Sequence, residues 1–340
     1  MKTLCNFLLF ALLAARLPAE EATPLAPYQP PENRTTVIRI WGDRHMAALT
    51  QAWARAYQAA HPEISFEIKQ LGNGTAMPAL YLGLADLAFF GRDTIVTDND
   101  GFAHVRKYNP LRLQLGTGSL DAPGKATALV LFVHRDNPLT QLTLTQVDAI
   151  FSAQRRRGAP AAIRTWGDLG LTGEWASRPI NLYADDTTSM TGLFFQHAVL
   201  RDSRMMNWEH FTEFRDIRHP DGTTTVTAEQ SLSALRADRY GLAISNLPYL
   251  DAGVKPLALT DRAGGTFYAP TRENLLSRAY PLTRPIFACA NQPPGGPLDA
   301  KVRDFLCFIL SAEGQAVVNQ DAGYLPLTPA LAAEELEKLR

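Results

Sequence analysis

The sequence predicts an α/β fold of about two domains. Length is the first reason: 340 residues suit about two domains at roughly 100–200 residues each. The second is the alternation of strand-like and helix-like segments over the first ordered stretch. It reads β-α-β-α-β, the pattern of a parallel sheet with helices on both faces. The third is the chemistry of the loops that close those strands. Glycine, hydroxyl and charged residues collect there, at the edge where open α/β sheets bind ligands.

Order begins with a β-rich run over residues 36–41, closed by Gly42. A helix follows, because Ala47, Leu49, Trp53, Ala56 and Tyr57 recur at helical spacing and define one apolar face. His61-Pro62 stops it. The second strand, residues 64–68, runs into Gly72-Asn73-Gly74-Thr75, and Met77, Leu80, Tyr81 and Leu84 mark a second helix. A third strand over 87–90 ends at Gly91-Arg92-Asp93. Residues 128–133 form a further apolar strand, and Asn137-Pro138 turns the chain. Thr143 caps a short helix reaching Phe151, with Gln146 in the reciprocal capping position. A strand over 180–183 leads into Asp185-Asp186-Thr187-Thr188-Ser189-Met190-Thr191, and then into a helix carrying Leu193, Phe194, His197 and Leu200. A helix over 228–236, strands over 241–245 and 285–289, and helices over 299–310 and from 311 onward follow. The fold is expected to end at Gly323-Tyr324-Leu325-Pro326-Leu327.

Composition excludes several classes. The chain is 46% hydrophobic and 20% charged with a formal net charge of −1, so no global field draws it to nucleic acid or to an anionic membrane, and any anion recognition is local. Arg155, Arg156 and Arg157 form the one basic run and read as a solvated loop. At the N-terminus, Lys2 precedes an apolar run from Leu4 to Ala15 and then Pro18-Ala19. A basic start, a short apolar stretch and a small residue at a candidate cleavage point describe a secretory signal. The run is shorter than the ~20 residues a permanent span needs. Cleavage near Ala19 implies export and leaves a flexible mature N-terminus over 20–34. Export permits a disulfide between Cys289 and Cys307. Both sit in apolar segments, which favours two buried thiols over a bridge. The scattered histidines give no zinc spacing, and no cofactor or metal is expected.

These phrases, in this order, resemble the substrate-binding subunits of phosphate ABC importers. The likeness runs from about Val37 to Leu327. It is carried by His61-Pro62, by Gly83-Leu84-Ala85-Asp86-Leu87-Ala88, by Asn137-Pro138-Leu139 followed by Leu142-Thr143, Ile150-Phe151-Ser152 and Trp166-Gly167-Asp168, and by Ser311-Ala312-Glu313-Gly314-Gln315 with the closing Gly323-Tyr324-Leu325-Pro326-Leu327. The resemblance implies a two-lobed periplasmic binding protein of type II-like form, each lobe a mainly parallel sheet flanked by helices, joined by a hinge of crossover strands. With residues 1–19 read as the signal peptide, the resemblance places residues 35–121 with 251–340 in the first lobe, and residues 122–250 in the second, a periplasmic location following from the family. It implies capture of phosphate or a related small anion between the lobes and delivery to a permease and ATPase complex.

A buried dianion needs many donors. Helix N-termini offer N–H groups and partial positive charge, and hydroxyls add to them. Gly72, Asn73, Gly74 and Thr75 stand where the family has a glycine-serine loop. Thr187, Thr188, Ser189, Met190 and Thr191 stand at its serine-glycine-threonine loop. The chain departs from the family at Asp43-Arg44-His45, where a hydroxyl-bearing loop is usual, at Met190, where glycine is usual, and at Asp185, where an arginine is usual. Exchanging that cation for a carboxylate removes a charge-assisted contact and adds repulsion. Arg44 and Arg92 are the candidate compensating cations. The departures keep three further readings open: a polar organic ligand, a sensor or scaffold role without transport, and, least supported, a hydrolase built on Ser189, which lacks the usual nucleophile-elbow sequence.

Overall fold

The computed structural model describes residues 36–340 apart from residues 93, 123, 124, 321 and 322. The expected signal segment and mature N-terminus lie outside the described residues. The elements in the first stretch are β1 (Thr36–Gly42), α1 (Ala47–Ala60), β2 (Ile64–Lys69), α2 (Asn73–Tyr81), β3 (Leu87–Phe90), α3 (Val96–Arg106) and β4 (Leu111–Gly116). The middle of the chain forms β5 (Val130–His134), β6 (Gln141–Thr143), α4 (Leu144–Phe151), β7 (Asn181–Asp185), α5 (Met190–Ala198), β8 (Phe211–Phe214), β9 (Ile217–Arg218), β10 (Thr224–Thr225), α6 (Thr227–Ala237), β11 (Gly241–Ser245), β12 (Val254–Pro256), β13 (Ala258–Thr260) and α7 (Arg272–Leu276). The last stretch carries β14 (Ile286–Ala290), α8 (Ala300–Leu310), α9 (Ala312–Gln320) and α10 (Pro329–Glu337).

Two five-stranded sheets result, in the orders β2-β1-β3-β14-β4 and β12-β5-β11-β7-β8. The α/β class and the two-sheet architecture match the expectation. The pairings are mixed, however. β1 pairs in parallel with β2 and β3, and β7 with β8 and β11. β14 runs antiparallel to β3 and β4, and β5 antiparallel to β11 and β12. The antiparallel strands flank the passages between the sheets, where the chain arrives from the opposite direction.

The first sheet is covered on both faces, and its strands show why they read as unbroken apolar runs. Along β14, Ile286, Ala288 and Ala290 enter a core with Trp53, Tyr57 and Phe305, while Phe287 and Cys289 enter a second core with Met77, Leu80 and Phe102. Successive strand residues point to opposite faces. Trp53 Nε1 donates to the Gly314 carbonyl at 2.8 Å, tying α1 to α9. Cys289 and Cys307 are not joined by a disulfide.

The core of the second sheet extends further along the chain than a boundary at residue 250 allows. β12 pairs with β5, and Leu257, Leu259, Leu275, Tyr280 and Leu282 are buried in the same core as Phe132, Phe151 and Trp166. The return to the first sheet therefore falls near residues 282–285. Another departure is at the C-terminus, where α10 follows Leu327 and buries Ala332 against the first sheet's core. Two segments pass between the sheets. The outward one bonds through Thr117 N–H to Leu325 O at 2.7 Å, and the two meet where Leu129 N–H donates to Leu282 O at 3.1 Å.

Candidate functional site

The site forms where strand ends and helix starts converge. β1 delivers Asp43, β3 delivers Arg92 and β7 delivers Asp185, each at its carboxyl end. The first turns of α2, α3 and α5 face the same cleft. Two adjoining cavities, of about 510 Å³ and about 240 Å³, occupy it. Asn73 and Gly74 of α2 line the larger one, Val96 of α3 the smaller, and Thr97 of α3 and Met190 of α5 line both. Three helix N-termini thus direct partial positive charge and unsatisfied N–H groups into one space.

Arg284, two residues before β14 and only 8% exposed, is buried close to Asp43, Arg92 and Asp185. Its guanidinium carbon sits 5.1 Å from the centroid of the Phe194 ring on α5. Burial brings its pKa down to about 10, while the carboxylates of Asp43 and Asp185 pull upward and Arg92 pushes further down. It remains a cation at neutral pH. Its Nε is buried with no hydrogen-bond partner among the described residues. A buried donor of this kind is costly to leave unmade.

Asp43 is buried and held in place. Its carboxylate accepts from His45 N–H at 3.0 Å and from Asn73 Nδ2 at 2.8 Å. Asn73 opens α2, and Gly72 before it adopts φ 114°, a conformation that favours glycine. Thr75 folds back, its hydroxyl donating to Gly72 O at 2.9 Å. Arg92 is buried and pairs with Asp98 at 2.7 Å. Arg44 is exposed and reaches Leu71 O at 3.5 Å. The His45 side chain is exposed too, and its carbonyl accepts from Tyr324 Oη at 3.2 Å.

On the other lobe, burial pushes the Asp185 carboxyl above its ordinary value, an effect countered by the hydroxyls of Thr191, Ser189 and Thr227 and reinforced by Asp216. Ser189 caps α5, its hydroxyl accepting from Gly192 N–H at 3.0 Å. Thr188 is turned to its neighbour: its N–H and hydroxyl each donate to Asp186 Oδ1 at 2.9 Å. Those bonds, with Arg215 Nε at 2.6 Å, hold the Asp186 carboxyl below its usual range. Thr187 N–H donates to the Glu213 carboxylate at 2.7 Å.

The structure therefore brings Asp43, Asn73, Arg92, Asp185, Ser189 and Thr191 around one place, lined further out by Gly74 and Met190. It sets Arg44, His45 and Thr188 to other tasks. Arg284 is a cation close enough to Asp185 to feel its charge; of the two anticipated cations, Arg44 is exposed and Arg92 pairs with Asp98. Sequence reading missed Arg284. Its one local sign was a lone charge, between Thr283 and Pro285, leading into the wholly apolar β14. Among the described residues no group of His, Cys, Asp and Glu could hold a metal ion, and no helix is long and apolar enough to cross a membrane.

Two α/β lobes around a polar cleft with a buried cation define a solute-binding protein. Residues 29–313 match the model of the PBP superfamily domain. The phosphate-binding protein PstS of Pseudomonas aeruginosa is 33% identical over 316 residues, covering 93% of this chain and 90% of that protein. PstS from Borrelia burgdorferi shares the fold with a TM-score of 0.58 at 13% identity, covering 86% of this chain and 99% of the other. An ABC-type phosphate transport receptor from Vibrio cholerae does so with a TM-score of 0.54 at 17% identity, covering 86% and 100%. The chain belongs to the PBP superfamily and, within it, to the family of phosphate-binding proteins.

Proposed function

We propose that this chain is the exported, periplasmic solute-binding subunit of an ABC importer, capturing phosphate in the interlobe cleft and passing it to a permease and ATPase. The observation that carries the reading is Arg284, buried with an unfilled donor and packed on Phe194, a wall of the cleft onto which three helix N-termini open. The likeness to phosphate-binding proteins over 93% of the chain supports phosphate as the anion. Asp43, Asn73, Gly74, Arg92, Asp185, Ser189 and Thr191 form the binding surface in this reading. The lobes are residues 36–116 with 285–340, and residues 129–282, with the intervening residues forming the hinge. The apolar run before Ala19 serves as the export signal.

A hydrolase is disfavoured by the local bonding. Ser189 Oγ serves the α5 cap, and among the described residues no histidine hydrogen-bonds to it.

The test is calorimetry and thermal unfolding on mature protein freed of ligand, with phosphate, arsenate and sulfate. A site filled at 100 times its Kd stabilises by about 2.7 kcal/mol. Stabilisation by phosphate is expected. No heat and no shift at millimolar phosphate would overturn the reading.

A further inference from the structure

We infer that the cleft also takes phosphonates and phosphate monoesters bearing a short apolar substituent, which lies in the smaller chamber between the starts of α3 and α5. This rests on the phosphate reading above and extends its ligand class. The chamber of about 240 Å³ is walled by Ile95 and Val96 from one lobe and by Met190, Leu193 and Phe194 from the other. Val96 is 56% exposed and Met190 37%, so large apolar side chains on both sides stand uncovered. Inorganic phosphate has no apolar surface to lay against them. The rest of the lining is polar or charged, Asn99, Gln196, His197, Asp202 and Arg204 among it, so the apolar side chains form a patch rimmed by groups that can orient an organic ligand.

The chamber is joined to the anion site through two side chains. Arg92 lines it directly. Phe194 lines it and carries the Arg284 guanidinium against its ring. A phosphoryl group near Arg284 and the α5 N-terminus leaves its fourth substituent room on the Phe194 side. Each methylene that enters an apolar site strengthens binding roughly fourfold, so affinity is expected to climb along a homologous series until the chamber is full.

The experiment is calorimetry on the mature, ligand-free protein with inorganic phosphate and then methyl-, ethyl-, propyl- and phenylphosphonate. The inference expects Kd to fall roughly fourfold per added carbon. It also expects Val96→Ser and Leu193→Asn to flatten that series while leaving the Kd for inorganic phosphate within about twofold. Affinity that drops with every carbon overturns it. So do variants that weaken phosphate and phosphonates alike, the mark of apolar walls that meet each other when the lobes close. If neither phosphate nor any phosphonate binds, the phosphate reading fails and this step falls with it. Binding of phosphate alone refutes only this step.

Discussion

Arg284 holds a full charge where water is nearly absent, with carboxylates near enough to shift its pKa but with no ion pair of its own among the described residues. Isolated buried charge is expensive, and replacing it by a neutral side chain of similar volume is often neutral or stabilising. A purely structural arginine would not behave that way. Arg284→Gln is therefore expected to leave the thermal stability of the ligand-free protein unchanged or raised, while weakening phosphate by about 2–5 kcal/mol, the usual loss when one partner of a buried charge contact is removed. Calorimetry and thermal unfolding on the same variant separate the two effects. Asp185 presents the opposite sign. Burial raises its carboxyl above its ordinary value, so between the unfolded and folded values the native state binds more proton than the unfolded chain. Stability from this group is full below the unfolded value and is lost as pH rises through the folded one. Asp185→Asn removes that loss, and its threonine and serine partners still find an acceptor oxygen. The variant should outlast the parent in thermal unfolding at neutral pH, with the gap closing toward acid. With a carboxylate near the dianion gone, phosphate should bind about tenfold tighter, a modest share of the roughly 4 kcal/mol that like charges about 4 Å apart would cost. Calorimetry in buffers of different ionisation enthalpy should find proton uptake on phosphate binding to the parent and less to the variant.

At the scale of elements, α5 shows how a site is braced from its far end. Ser189 caps the N-terminus that faces the cleft. At the other end Arg157 donates from Nε and Nη2 to the carbonyls of Val199 and Ala198, neutralising exposed acceptors and the negative end of the helix dipole. The arginine run that reads as a solvated loop thus contributes one member to the fold. Arg157→Ala is expected to lower unfolding stability by about 1.5–3 kcal/mol, the range for hydrogen bonds to a charged group, read as a denaturant midpoint. The element also marks what local sequence can convey. The capping box at Thr143 and Gln146 is written in adjacent residues and appears as written. β1 to β3 and the helices between them were legible for the same reason, through periodicity. α3 was not: only Phe102 is buried along it, and it carries Asp, Asn and Gly, so no apolar stripe announces it. α10 follows a segment that looks terminal, and only its docking on the first sheet's core reveals its place.

In the whole molecule the two cores are joined where the crossing segments touch, and the anion site depends on that junction. The loops carrying Asp43, Asn73, Asp185 and Ser189 could be read from sequence because each follows a strand or opens a helix. Arg284 could not, since its position beside them comes from the chain returning some 100 residues later than Asp185, through the hinge. What sets that return is backbone contact. A Cβ on Gly118 would lie 2.2 Å from Arg284 O and 2.3 Å from Ala126 O, distances that neither backbone can accept without moving. Glycine there lets the two crossing segments pass at contact and fixes the carbonyl of Arg284 itself. Gly118→Ala must push that segment away. Overpacking of this kind costs about 1–3 kcal/mol, so a fall of that size in unfolding stability is expected. The same shift displaces the guanidinium, and the phosphate Kd should rise in parallel although residue 118 faces no cavity of the cleft. Thermal unfolding and calorimetry on Gly118→Ala check both halves. A variant that loses stability but keeps the parent's phosphate affinity would show that the hinge holds the lobes without setting the cation, and would place the registry of Arg284 in β14 instead.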